Sequence, residues 1–142
     1  MKRAIWYERR IQVIRYEKKV PEMEPLYRLY EHDGWNDFLK LPKERLYQAM
    51  EQSWLVVSAY DGERLIGTGR IISDGIINAY LCGLIVEPAY RSKGIGREMV
   101  RLMAECCTES QLHLQLLAEE EKAGYYEKLG FEIFTLGLKY KS

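Results

Sequence analysis

The sequence predicts an α/β (α+β) domain, a mixed, mostly antiparallel sheet of six to seven strands with helices on both faces. Three observations carry this expectation. Two Asp-Gly pairs, Asp61-Gly62 and Asp74-Gly75, separate runs rich in aliphatic and β-branched residues, the pattern of an antiparallel meander. After the meander, Ile95, Met99, Leu102 and Cys106 form an apolar stripe at helical spacing, opposite Arg97, Arg101 and Glu105. An alternating run at 112–117 then returns to strand periodicity, and a strand–helix–strand unit behind a meander calls for a mixed sheet covered on both sides.

Each element has its own signal. Residues 11–16, Ile-Gln-Val-Ile-Arg-Tyr, alternate and read as a first strand. In 22–33, Met23, Leu26, Tyr27 and Tyr30 fall on one helix face, and Gly34 supplies the stop. A second short helix begins near Pro42, with Leu46, Ala49 and Met50 on one side. Runs 54–60 and 64–72 flank Asp61-Gly62 and predict a hairpin with a type I′ turn, which needs positive φ twice. A longer strand follows over 76–86, then the helix over 94–107 and the strand over 112–117. Residues 120–129 read as a short helix closed by Gly130, and 131–138 as a last strand. With no repeat, low-complexity tract or flexible linker, 1–142 reads as one domain, with 1–10 an N-terminal extension. Trp6 and Tyr7 imply that this extension packs on something, and a homodimer is one expectation.

Composition narrows the function classes. Lys plus Arg and Asp plus Glu number 21 each, so the basic excess that drives nucleic-acid binding is absent and no nucleic-acid partner is expected. No apolar run approaches the roughly 20 residues that span a bilayer, so no membrane partner is expected. The start, Met-Lys-Arg-Ala-Ile-Trp-Tyr, lacks the apolar core of a signal peptide, and a cytoplasmic location is the expectation. The cysteines Cys82, Cys106 and Cys107 are odd in number, two of them adjacent, which does not suit a disulfide framework. His32 and His113 stand apart from them, so no metal site is predicted. Neither histidine is placed to activate Cys82, which reads as a small buried residue rather than a nucleophile.

The segment that points to chemistry is Leu84-Ile-Val-Glu-Pro-Ala-Tyr-Arg-Ser-Lys-Gly-Ile-Gly96. A strand ends, a short loop follows, and two glycines open a helix, a geometry that brings backbone N–H groups close to a phosphate. Arg91, Lys93 and Arg97 crowd the same end. Positive charge there opposes the helix dipole, so an anionic partner explains it better than stability does. The spacing is that of neither a Walker loop nor a Rossmann loop, which needs a third glycine.

Arg91-Ser-Lys-Gly-Ile-Gly96 matches the Arg/Gln-x-x-Gly-x-Gly/Ala motif of GNAT superfamily N-acetyltransferases, and Ala123-Gly-Tyr-Tyr-Glu-Lys-Leu-Gly-Phe131 resembles their C-terminal signature. The resemblance spans about 11–138 in element order. It implies acetyl-CoA as co-substrate, with no metal. The pyrophosphate would meet backbone amides of Arg91, Ser92, Lys93, Gly94, Ile95, Gly96 and Arg97, and the pantetheine arm would pair with Ile85 and Val86. An amine would attack the thioester directly, a backbone N–H near Val86 would hold the oxyanion, and Tyr126 would protonate the departing thiolate. Tyr125 beside it reads as core, and Lys128 as a surface residue rather than a catalytic one.

The base is less determined. Some members of the family carry a glutamate on the central strand where this chain has Tyr80. Glu87 is the nearest carboxylate in sequence, and a water chain would also serve. Glu119-Glu-Glu121 stands where many relatives have a coenzyme-binding asparagine. The resemblance puts the acceptor pocket among the first two helices, whose aromatics are Tyr27, Tyr30, Trp35, Phe38 and Tyr47; Tyr30 and Trp35 are expected to face the cleft and, with Tyr80, to bind the acceptor. A primary amine of a small molecule is the expected acceptor. A non-catalytic acyl-CoA sensor and a protein N-terminal or lysine acetyltransferase are the alternatives.

Overall fold

The computed structural model describes residues 13–142, apart from the side chain of Phe38. Five strands make one sheet in the order β1 (Ile14–Glu17), β2 (Leu55–Asp61), β3 (Arg64–Ser73), β4 (Asn78–Val86) and β5 (His113–Leu116). The first four are antiparallel neighbours, and β5 joins β4 in parallel. Three helices, α1 (Met23–Asp33), α2 (Trp35–Leu39) and α3 (Lys43–Glu51), lie between β1 and β2 in the chain. Helix α4 (Ile95–Glu109) connects β4 to β5, and α5 (Ala123–Glu127) follows β5.

Strand alternation sorts the core into two layers. Val57, Ala59, Ile66 and Ile71 pack beneath Ile95, Met99, Val100 and Met103 of α4. Their neighbours Val56 and Leu65, with Ile85, pack instead against Leu26, Leu29 and Tyr30 of α1 and Leu46 and Met50 of α3. Successive side chains on a strand point to opposite faces, so each central strand holds helices on both sides. The predicted mixed sheet with two covered faces is what forms, with five strands among the described residues.

Three expectations change in detail. The strand predicted over 11–16 begins at Ile14, and residues 11 and 12 lie outside the described residues, as do Trp6 and Tyr7. The β2–β3 turn is left-handed only at Gly62, so Gly62-Glu63 forms a glycine-first turn rather than a doubly left-handed type I′ turn. Residues 131–138 form no strand. They run beside β5, with the Phe134 ring edge-on to His113 at 5.8 Å, and Ile133, Leu136 and Leu138 are at least 74% exposed. Ile133-Phe134 breaks strict alternation, Gly137 offers no side chain, and no face is buried to hold a ladder in place.

The feature that positions the site is a bulge in β4. Thr68 pairs with Ile85 and Arg70 with Cys82, so Gly83 and Leu84 together face Gly69. Gly83 takes φ +58, the left-handed residue such a bulge requires. A Cβ there would lie 2.8 Å from the hydroxyl of Tyr30, which is only 3% exposed and has no room to withdraw. Gly83→Ala is therefore expected to cost more than the left-handed penalty of about 1–2 kcal/mol. Thermal melting should fall by roughly 3 °C or more. An unchanged melting temperature would show that the bulge relaxes freely.

Candidate active site

Parallel pairing between β4 and β5 stops at Leu81 and Leu116, while β4 continues with β3 as far as Val86. Beyond that point the two parallel strands part at their carboxyl ends, the place where α/β sheets bind ligands. The bulge at Gly83 bends β4 at this fork. A cavity of about 970 Å³ fills the gap, floored by Cys82, Gly83, Leu84 and Val86 and walled by the start of α4 on one side and α5 on the other.

At one end of the cavity the chain turns into α4. Ser92 and Gly94 are both left-handed, at φ 61 and 80, and the first intrahelical bond runs from Glu98 N–H to Gly94 O. The amides ahead of Glu98 are therefore the open donors of a helix N-terminus, adjoining the cavity in an anion-binding cradle. Arg97, Lys122 and Lys128 also line the cavity, with Arg97 Nη2 donating to Lys128 O at 3.4 Å. This chemistry suits a pyrophosphate, so the residues present fit the coenzyme that the resemblance implies.

Arg91 lines the cavity, but its side chain is engaged within the fold. Its Nε donates to Val86 O at 3.1 Å and its Nη2 to Asp33 Oδ1 at 2.7 Å, so it clamps the end of β4 to the end of α1. Its own N–H donates to Pro88 O. Lys93 is not among the lining residues; its ammonium lies 5.4 Å from the centre of the Tyr90 ring. Ile85 is buried against α1 and α3, while Val86 lines the cavity.

Against this turn stand Tyr125 and Tyr126 of α5, their rings edge-on at 5.2 Å, with Phe131 edge-on to Tyr126 at 6.0 Å. Burial, helped by Tyr125, pushes the Tyr126 phenol above its ordinary value, so it holds its proton throughout the neutral range. That is the state a proton donor needs. Tyr125 is half exposed and lines the cavity, and its hydroxyl occupies the space where a side chain at Gly96 would begin. Expectation had put it in the core.

Of the acceptor residues, Trp35 and Tyr80 line the cavity together with Ile72. These three are 39%, 41% and 44% exposed, an unusual amount of open apolar surface at one spot. Tyr30 does not face the cavity; it is core, and burial pushes its phenol up to about 12. Glu87 is also outside the lining. It is 9% exposed and its carboxylate is held by His32 Nδ1 at 2.9 Å, with Arg64 at 3.8 Å. Cys82 reaches the cavity floor, but burial raises its thiol, which keeps it from acting as a thiolate.

Sequence reasoning passed over Asp33, Lys122 and Ile72, and gave Lys128 to the surface. The isolated Gly83 within a strand pattern was the available signal for the bulge and hence for the fork. Asp33 carried no signal, since a carboxylate at a helix end is ordinary. Among the described residues no cluster of His, Cys, Asp and Glu is arranged to hold a metal, and no helix is long and apolar enough to cross a membrane.

The GNAT acetyltransferase domain matches residues 52–133, the stretch that contains the fork, the glycine turn and Tyr126. The chain belongs to the GNAT acetyltransferase family. It is 35% identical over 99 residues to serotonin N-acetyltransferase 2, chloroplastic, of Oryza sativa subsp. japonica, covering 66% of this chain and 50% of that protein. It is 26% identical over 118 residues to histone acetyltransferase TAP1 of Glycine max, covering 75% and 50%. The chain thus spans about half the length of these relatives. A GNAT-family acetyltransferase from Streptococcus pneumoniae superposes with a TM-score of 0.74 at 29% identity, covering 91% of this chain and 98% of that one. Most of the residues that line the cavity fall within the stretch that the family model matches.

Proposed function

We propose that this GNAT chain transfers an acetyl group from acetyl-CoA to the primary amine of a small molecule with a compact apolar or aromatic body. The observation that carries the reading is the forked cavity, whose lining joins the open amides and cations of the α4 turn, the tyrosines of α5 and the apolar side chains of Trp35, Ile72 and Tyr80. Acetyl-CoA would lay its pyrophosphate on the amides of 92–97, with Arg97, Lys122 and Lys128 around it. The edge of β4 left free where β5 departs would take the pantetheine arm as a strand-like partner. Backbone near Val86 would stabilise the oxyanion, and the protonated Tyr126 would supply a proton to the leaving sulfur.

Trp35, Ile72 and Tyr80 favour an acceptor with apolar area to bury. The likeness to a serotonin N-acetyltransferase agrees with such an amine. Free-thiol release from acetyl-CoA is the test, run with 2-phenylethylamine, tryptamine, spermidine and a lysine-containing histone-tail peptide. The arylalkylamines should turn over best. Preference for the peptide would reassign the acceptor to protein, and binding without release to any amine would leave a sensor. Acetyl-CoA at about 100 times its Kd should also stabilise the fold by about 2.7 kcal/mol, read as a rise in melting temperature. No rise at millimolar acetyl-CoA would remove the coenzyme assignment.

A further inference from the structure

Among the described residues, the cavity is lined by a single carboxylate, Asp33. Asp33 is the last residue of α1, one turn beyond Tyr30, whose hydroxyl rests against the Gly83 bulge. It therefore sits on the helix face turned toward β4 at the fork. Gly34, left-handed at φ 82, then reverses the chain and delivers Trp35 to the same cavity. The Asp33 side chain is 17% exposed, and Arg91 Nη2 fixes Oδ1 at 2.7 Å. Glu87, the carboxylate that sequence order favours, is committed to His32 and Arg64 outside the lining.

We propose that Asp33 is the residue that receives the acceptor: its carboxylate binds the incoming ammonium and takes a proton from the nitrogen. The proposal rests on the transferase reading above. An amine enters as R-NH3+ and gives one proton to Asp33, which frees the lone pair. The nitrogen then attacks the thioester carbon, the N–C bond forms, and the C–S bond breaks with its electron pair going to sulfur. Sulfur takes the phenolic proton of Tyr126. The acylated nitrogen loses its second proton to water, Asp33 passes its own to water, and Tyr126 is refilled from solvent. One proton is released overall, which balances R-NH3+ and acetyl-CoA against the amide and the free thiol.

The surroundings suit the role. Burial pushes the Asp33 carboxyl above its ordinary value, against the opposing pull of Arg91 and Lys122, while Tyr30 faces it from its own helix. A base closer to the working pH accepts a proton more readily.

The experiment is kcat/KM for the fastest panel amine between about pH 6 and 10, for the unaltered chain, Asp33→Asn and Asp33→Glu, with coenzyme A affinity measured by calorimetry. Asp33→Asn keeps the side-chain shape and an oxygen for Arg91. It should lower kcat/KM about 100-fold near neutral pH. The defect should shrink as pH approaches the amine's own pKa of about 10, where the nucleophile no longer needs a base to free it. Asp33→Glu should recover part of the rate, and coenzyme A affinity should stay within about threefold in both variants. A defect independent of pH, or one accompanied by weak coenzyme binding, would mean that Asp33 only anchors Arg91, and would overturn the assignment. Unaltered kinetics in Asp33→Asn, or the same pH-dependent defect in Glu87→Gln instead, would overturn it while leaving the transferase reading intact. Absence of turnover by the unaltered chain with every panel amine would remove both.

Discussion

Gly94→Glu should abolish coenzyme A binding while the domain stays folded. Gly94 precedes α4 at φ 80, and a Cβ there would meet nothing within 4 Å, so the substitution has space. Its backbone cost is the left-handed penalty of about 1–2 kcal/mol. A carboxylate at a helix N-terminus interacts favourably with the dipole and offsets part of that cost. The same carboxylate would occupy the cradle meant for pyrophosphate, replacing attraction with repulsion and competing for the amides of 92–97. Each charge-assisted hydrogen bond lost there is worth about 1.5–3 kcal/mol. Affinity should therefore fall at least about 100-fold, which corresponds to roughly 2.7 kcal/mol. Calorimetry on the variant, with circular dichroism to check folding, reads the result. Gly94→Asn is the companion, because asparagine tolerates the left-handed region and adds no charge. Near-normal affinity in Gly94→Glu would reduce the turn to a structural connection.

Tyr126→Phe is the second large effect, and it falls on rate rather than binding. It removes one hydroxyl and almost no contact area, so the edge-on packing with Tyr125 and Phe131 survives. If that hydroxyl protonates the leaving sulfur, the loss should be about 10²–10⁴-fold. It should appear equally in kcat and kcat/KM, as for an interaction made only in the transition state. Slow product release would mask the change in steady state, so single-turnover acetyl transfer is the proper measurement. A single-turnover rate equal to that of the unaltered chain would take Tyr126 out of the mechanism. Tyr125→Phe is a second probe rather than a neutral control, because the Tyr125 hydroxyl packs over Gly96 inside the cavity.

Both predictions rest on residues that sequence motifs had singled out, and the structure explains why motifs suffice there. The turn at 91–97 and the tyrosines of 123–131 work through local geometry: a glycine that permits a left-handed φ, a helix start with open amides, a short helix that presents a ring. Such features are written in consecutive residues. The same holds for the meander, where apolar runs and Gly62 mark the hairpin, and for the start of α4, where Ile95 and Met99 are core as the stripe predicts; beyond them the buried face runs through Val100, Met103 and Cys107, and Leu102 and Cys106 are only half-buried.

The last strand shows where that reading stops. Residues 131–138 have the composition of a strand, yet a strand forms only when a partner offers hydrogen bonds and a layer covers one face. Ile133, Leu136 and Leu138 remain exposed beside the four residues of β5. Tyr30 and Tyr125 exchanged their expected places for a related reason. Aromatics suit core and cavity equally, and the choice depends on what stands across from them, the Gly83 bulge in one case and Gly96 in the other.

By itself the sequence determined the fold class, the order of its elements, the phosphate-type turn and the family, because all of these follow from periodicity and from short runs of residues. Only the tertiary structure decided which side chains share the cavity. Asp33 and Glu87 are 54 positions apart, each a carboxylate near the end of an element, and nothing in their neighbourhoods distinguishes them. One is closed off by a histidine from α1 and an arginine from β3; the other opens into the fork where two parallel strands part. That difference arises from the register of β4 against β3 and the bend it imposes, a relation between distant segments that local sequence does not encode.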